Sequence, residues 1–237
     1  MKKHIHSLSV ITTLLWAILG GTNISIAQRN APNMPEHDTK PYYFGITFGF
    51  NYSAFQISQT ENFAFHDTFM LVQPAYGPGF NLGIMGNLRV NKLLDLRFIP
   101  ALVFSEKRIR TVDQFYAEEK RSIESIYMNL PFQLKIKSDR IHNFRFYGLA
   151  GGKFDYDLAA NARSRRQDEW LRVSPIDLGI ELGVGFEFFY PNFIFSPEIK
   201  VSQGFLNSHY QDSAIPLSNT INSMRTRMFI ISIHLEG

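Results

Sequence analysis

Two carboxylates, Asp177 and Glu181, are the residues whose type and spacing come closest to a catalytic arrangement. Paired carboxylates can perform acid–base catalysis, as in a membrane-embedded protease or acylhydrolase, when a nucleophile and an orienting base lie beside them. The sequence specifies neither partner. We therefore interpret both residues as part of an interior salt-bridge cluster, with a membrane-embedded enzyme as the alternative.

Other chemistry has less support. The histidines after residue 27 are scattered without the spacing of a metal site; they are His37, His66, His142, His209 and His234. The run from Gly148 to Lys153 (GLAGGK) lacks both the spacing and the Ser/Thr of a phosphate-binding loop, and the chain has no cysteine. The sequence thus predicts no catalytic residue, cofactor, metal or small-molecule substrate.

The charged residues lie in segments where apolar and polar residues alternate with a period of two. From Ile176 to Phe188, large apolar residues alternate with glycine, aspartate and glutamate, so the two faces of a strand differ in polarity. Similar alternation recurs near 44–52, 80–90, 95–105, 126–136, 144–156, 193–201 and 229–236. These segments predict an all-β chain, an eight-stranded antiparallel up-and-down barrel.

The connections alternate in length. Short turns are expected at 91–94, 138–143 and 190–192, and long connections at about 56–79, 106–122, 157–174 and 206–223. Short periplasmic turns and long extracellular loops are typical of transmembrane barrels in the outer membrane. The pattern therefore predicts such a barrel, with both termini in the periplasm.

The apolar face is expected to point outward to lipid. A soluble ligand carrier would use the same alternation with its apolar face inward, but the large apolar residues are too many for a narrow eight-stranded interior. Glycines and charges of both signs share the other face, where charges can pair in the lumen. The predicted polar network of the lumen comprises Arg89, Arg97, Lys135, Lys153, Asp177, Glu181, Glu187, Glu198 and Lys200.

Aromatic residues cluster near the ends of the segments, as expected for girdles at the two membrane interfaces. The residues assigned to these girdles are Tyr42, Tyr43, Phe44, Phe144, Phe146, Tyr147, Phe189 and Tyr190.

The first residues resemble an export signal. Lys2 and Lys3 precede an apolar stretch, and Ser25-Ile26-Ala27 fits a cleavage site, so residues 1–27 are predicted to be a cleaved signal peptide, with an uncleaved anchor as the alternative. Residues 28–42 are then a periplasmic tail and 43–237 the barrel. Without the two lysines, 22 basic residues face 21 acidic ones, which gives no footprint for nucleic acid.

Two loops could contact partners. The first contains exposed apolar residues that can dock on a partner or fold over the barrel mouth; they include Phe63, Phe65, Phe69 and Tyr76. The third carries Arg163, Arg165 and Arg166, which could contact lipopolysaccharide or a partner subunit or form a solvated face.

Several segments resemble a known family. Residues 127–135 (YMNLPFQLK) resemble the Y-x-x-(L/I)-P-x-x-(L/I)-K strand of the PorT family of outer-membrane barrels in Bacteroidetes. Residues 44–53, 146–152, 177–187 and 196–200, the last followed by Gly204, resemble other strands of that family. The resemblance covers nearly all of the chain after the signal segment.

The resemblance implies a function. Members similar to this chain are accessory components of the type IX secretion system, which exports proteases and adhesins for gliding motility across the outer membrane. The implied partners are other secretion subunits, besides outer-membrane lipid and lipopolysaccharide. The alternative is a stand-alone barrel that binds a surface ligand or anchors the envelope without a secretion role.

Overall fold

The computed structural model describes residues 32–60, 69–113, 115, 117–159, 171–211 and 215–237. Nine β-segments occur there: β1 Tyr42–Gln59, β2 Phe69–Arg89, β3 Leu94–Phe98, β4 Ala101–Asp113, β5 Glu118–Lys137, β6 Phe144–Asp157, β7 Ile176–Phe189, β8 Ile194–Gly204 and β9 Ile221–Glu236. Two short helices accompany them, a 3₁₀ helix at Pro35–Thr39 and an α-helix, α1, at Pro216–Thr220. The predicted signal peptide lies outside the described residues.

The segments close into a ring of eight strands. Each pairs antiparallel with its neighbours, and β9 pairs with β1, for example Leu235 with Ile46. β3 and β4 form one strand of the ring, interrupted at Ile99 and Pro100. Because proline lacks an N–H, it breaks the ladder there, but the Pro100 carbonyl still accepts from the Ile84 amide at 3.1 Å. The predicted eight-stranded up-and-down architecture is confirmed.

The apolar side chains face outward. Phe48, Leu182 and Ile231 are 48%, 55% and 59% exposed, whereas Asn87 and Glu181 are 3% and 1% exposed. A soluble ligand carrier requires the reverse arrangement. The outward belt of Phe, Leu, Ile and Val is therefore the surface that contacts lipid.

One inward glycine shows why that face carries small residues. A Cβ added at Gly185 of β7 would collide with the Tyr147 ring and lie 2.9 Å from the Pro197 carbonyl oxygen. The missing side chain makes room for a buried tyrosine from the neighbouring strand β6. Glycine on this face thus serves the packing of the lumen.

Two of the predicted long loops are mostly strand. The connection placed at 56–79 contains the end of β1 and half of β2, and that at 106–122 contains more than half of β4 and the start of β5. The prediction ended these strands where the outward face ceased to be apolar. The pairing continues there with charged residues outward, as in the ion pair of Arg110 with Glu118 at 2.6 Å, because a strand that leaves the bilayer can present polar groups to water.

The aromatic girdle was predicted only partly correctly. Tyr42, Phe44, Phe146 and Tyr190 are exposed on the outside, but Tyr43, Tyr147 and Phe189 are 2–3% exposed and lie inside the barrel. Successive side chains of a strand point to opposite faces, so adjacent aromatic residues cannot both face lipid.

Candidate functional site in the barrel lumen

An ion pair crosses the centre of the lumen. The Arg97 guanidinium on β3 lies 2.6 Å from Glu198 Oε2 on β8, and the two strands are on opposite sides of the ring. Arg97 also donates to the Asn87 side chain at 3.0 Å and lies 3.8 Å from Glu236 Oε1. Glu198 accepts from the Tyr147 hydroxyl at 2.8 Å. These contacts fill the middle of the barrel.

A second set of pairs surrounds the first. Lys135 pairs with Glu187 and lies 3.7 Å from Glu236, while Lys200 lies 3.0 Å from Glu181. Glu181 also accepts from the Gln133 amide at 2.5 Å. Buried pairs of this kind add little net stability. Removal of one partner, however, leaves the other charge buried and unpaired, which lowers the free energy of unfolding by about 3–5 kcal/mol. The network therefore favours a filled lumen.

A third polar group lies nearer the predicted long loops. Lys153 pairs with Asp155 at 2.5 Å, and Asp177 accepts from the Thr226 hydroxyl. The Lys107 ammonium lies 4.7 Å from the centroid of the Tyr127 ring. These side chains line a cavity of about 20 Å³, which is room for about one water molecule.

The two carboxylates that suggested catalysis have different hydrogen-bond partners. Asp177 contacts Thr226 and the Leu206 amide, whereas Glu181 contacts Gln133 and Lys200. The hydrogen bonds of one carboxylate share no partner with those of the other, so within the described residues no common hydrogen-bonded group joins the two. Each is instead held by polar groups of its own cluster.

Apolar side chains cover the lumen at the end of the predicted long loops. Strand residues and residues from the connections pack into one buried cluster, formed by Phe55, Val72, Ile109, Leu171, Val173, Leu217, Ile221 and Met224. At the same end of the barrel, His209 Nε2 lies 2.9 Å from Ser218 Oγ on α1. Ser218 has no exposed surface, and burial lowers the pKa of His209. The pair therefore anchors α1 to the preceding connection rather than presenting a nucleophile.

Residues 32–41, which we call the tail, cover the lumen at the opposite end. His37 is buried, and its ring meets the Tyr43 ring edge-on at 4.5 Å. Asp38 lies 2.6 Å from Arg145 and 3.1 Å from Arg140, both of the barrel. Burial lowers the pKa of His37 to about 4, so the ring is neutral at pH 7.

Asp38 is ionised at this closure. Burial disfavours its charged form, but the hydrogen bonds and charges of Arg145 and Arg140 outweigh burial and hold its pKa below the usual value. Arg145 also lies 3.4 Å from Glu187, which pairs with Lys135. A continuous series of ion pairs therefore connects the tail with the centre of the lumen.

All nine residues of the predicted lumen network lie on the inward face of strands, although Arg89 remains partly exposed. Arg89 lies 4.0 Å from Asp95. The prediction omitted buried partners that the same alternation identifies, namely Asp95, Lys137, Arg145, His234 and Glu236. In the described parts of the chain, no three His, Asp or Glu side chains are arranged to hold a metal ion.

Of the residues predicted to contact partners, the structure describes only Phe69 and Tyr76. Tyr76 lies on β2 rather than in a loop and stacks on Tyr52, with ring centroids 5.4 Å apart. Phe69 begins β2. Phe63, Phe65, Arg163, Arg165 and Arg166 lie outside the described residues, so their role stays a prediction.

Comparison with known proteins places the chain in a family. A family model described as an outer membrane protein β-barrel domain matches residues 26–210. The chain belongs to this family. Among the described residues, no helix is long and apolar enough to span a membrane. No curated protein matches the chain.

Solved structures of other outer-membrane proteins resemble this outer-membrane barrel at low sequence identity. OprG from Pseudomonas aeruginosa has 12% identity over 83% of this chain and 95% of its own, with a TM-score of 0.48. Neisserial surface protein A has 13% identity over 81% and 95%, with a TM-score of 0.39. The outer membrane protease OmpT from Escherichia coli has 11% identity over 82% of this chain and 95% of its own, with a TM-score of 0.37.

Proposed function

We propose that this outer-membrane barrel is a non-enzymatic accessory subunit of the type IX protein secretion system, required for export of secreted proteases and gliding adhesins. The resemblance of five strand segments to the PorT family supports the secretion role. The expected partners are other subunits of the system, with lipid and lipopolysaccharide around the barrel. Both termini are expected in the periplasm, after removal of a signal peptide.

The filled lumen is the observation that carries the accessory role. Arg97, Glu198 and Lys135 occupy its centre, and the tail and an apolar cluster cover its ends. An exported folded protein is far wider than an eight-stranded interior, which holds little more than its own side chains. A barrel of this kind acts through its rim, loops and outer wall.

Gene deletion tests the secretion role. We expect cargo proteases to accumulate inside the cell envelope, and complementation with the full chain to restore export. Mild detergent purification of the complemented protein should recover other secretion subunits. Normal export after deletion, with no secretion subunits recovered, would contradict the proposal and favour the stand-alone barrel.

A membrane-embedded enzyme makes a different prediction. Asp177→Asn and Glu181→Gln would each abolish an activity in a barrel that still folds, whereas an accessory subunit with these variants should still support export whenever it folds. An activity lost in both variants, with the barrel intact, would revive the enzymatic alternative.

A further inference from the structure

Three arginines surround the site where the tail meets the barrel. Arg89 is at the end of β2, Arg140 is in the turn after β5, and Arg145 is near the start of β6. We call these three residues, together with Asn143 and Phe189, the basal socket. The socket is assembled from separate parts of the barrel, and the tail lies on it without joining the sheet.

The socket binds the tail as a peptide. Arg89 donates to the His37 carbonyl at 2.8 Å, and Arg140 donates to the Asn33 carbonyl. The Asn143 side chain accepts from the Asn33 amide at 2.7 Å. Backbone groups are thus recognised at both ends of the five-residue stretch 33–37, and these contacts do not depend on the side chains of that stretch.

Side-chain recognition adds charge and shape. The two carboxylate oxygens of Asp38 accept from different arginines, Oδ1 from Arg145 at 2.6 Å and Oδ2 from Arg140 at 3.1 Å. Arg140 also stacks over the Phe189 ring at 3.8 Å from its centroid. Charge-assisted hydrogen bonds from arginine are the strong class of polar contact. The socket therefore selects an acidic peptide.

The tail leaves part of the socket unused. The Arg145 side chain is only 7% exposed, and its Nε has no hydrogen-bond partner within the described residues. Arg89 Nη2 is likewise buried and has no hydrogen-bond partner there. The tail provides one carboxylate, Asp38, to Arg140 and Arg145, and only a backbone carbonyl to Arg89. A segment with a second carboxylate would satisfy donors that the tail leaves unpaired.

We propose that the basal socket is a docking site for an acidic peptide segment of a partner protein, and that residues 33–38 are a resident occupant that the partner displaces. The segment carries at least two Asp or Glu residues in an extended or single-turn stretch. Contacts to the Asn33 and His37 carbonyls favour a peptide over a phosphate or a lipid headgroup. The proposal does not require the secretion role.

Binding of a peptide in trans tests the socket. The probe is a fluorescent peptide of residues 32–41, and the receptor is the full chain with Asp38→Asn, whose own tail is held less tightly. We expect saturable binding by anisotropy at least tenfold tighter than to the wild-type chain, in which the tail competes. Arg140→Gln combined with Arg145→Gln should weaken binding at least tenfold, and Lys92→Gln in a neighbouring turn should not.

Several results would overturn the proposal. These are no binding to the Asp38→Asn chain, binding insensitive to the two arginines, or equal binding of a peptide in which Asp38 is asparagine. Complete competition by inorganic phosphate at the peptide's own concentration would show a plain anion patch instead.

A second measurement covers failure of the variants to fold. The chain has no cysteine, so Glu36→Cys and Lys92→Cys in an otherwise wild-type chain accept two spin labels. We expect one narrow distance distribution, which broadens when a peptide of the tail sequence with a second Asp is added in excess. A narrow distribution that the peptide leaves unchanged would contradict displacement.

Discussion

Arg97 and Glu198 form a 2.6 Å ion pair between strands on opposite sides of the barrel. Both side chains have no exposed surface. The pair joins β3 to β8 directly through the lumen, so the interior holds the wall together as well as filling it. The stability of the barrel should depend on it more than on any exposed pair.

Removal of one partner should be costly. Arg97→Met leaves Glu198 and Glu236 buried without their guanidinium, and we expect a loss of about 3–5 kcal/mol in the free energy of unfolding. Arg97→Met with Glu198→Leu should cost much less than the sum of the single changes. Urea unfolding in lipid vesicles measures these values, with exposed Lys92→Gln as the control. Additive single effects would contradict direct coupling.

The packing of Tyr147 against Gly185 gives a second prediction. Gly185→Ala places a methyl group against the Tyr147 ring, which must then move from Glu198, and we expect a loss of about 1–3 kcal/mol. Gly148→Ala is the matched control, since its Cβ would meet nothing nearer than 4.0 Å. Equal unfolding midpoints for the two variants would contradict this account of the inward glycines.

The lipid-facing belt gives a third prediction. Leu182 lies near the centre of β7 with its side chain outward, so Leu182→Arg should cost about 2–4 kcal/mol if it lies near the bilayer midplane. Ser58→Arg, at the exposed end of β1, should change stability little. Folding into vesicles followed by urea titration compares the two. A tolerated arginine at 182 would contradict lipid contact.

Docking of the tail should weaken in acid. The free tail has an ordinary histidine, with a pKa near 6.5, whereas docked His37 has a pKa of about 4. Below pH 6.5 the free tail binds the proton more readily, so the docked state loses stability from about pH 6.5 down to about pH 4. Asp38, whose docked pKa lies below its usual value of 3.8, adds a loss at still lower pH.

The spin-label distance between positions 36 and 92 measures this response as a function of pH. His37→Phe should remove the change between pH 6.5 and 4 while leaving the change at lower pH. A tail that stays docked to pH 4 in the wild-type chain would contradict the buried neutral histidine.

Alternation in the sequence predicted most of the fold. The period of two assigned Glu181, Glu187 and Glu198 to the inward face, where the structure has them. The same alternation places Tyr43 and Tyr147 on the inward face, whereas the clustering of aromatic residues predicts a girdle there. The structure shows that alternation decides, because both side chains are buried. Strand ends were missed because the outward face changes from apolar to charged where the strands continue beyond the bilayer.

The tail could not be predicted in this way. Residues 32–41 have no periodicity, and the contacts of Asp38 with Arg140 and Arg145 join residues 102 and 107 positions apart. A single short carboxylate that pairs at such a separation leaves no local pattern. Only the closed ring brings these groups together.

Ion conductance of the purified full chain in a planar lipid bilayer tests the filled barrel most directly. The charged pairs around Arg97 and the two closures predict no stable conducting state under a moderate applied voltage. A steady, reproducible conductance of the wild-type chain would show a continuous aqueous path. That result would contradict both the filled lumen and the accessory role inferred from it.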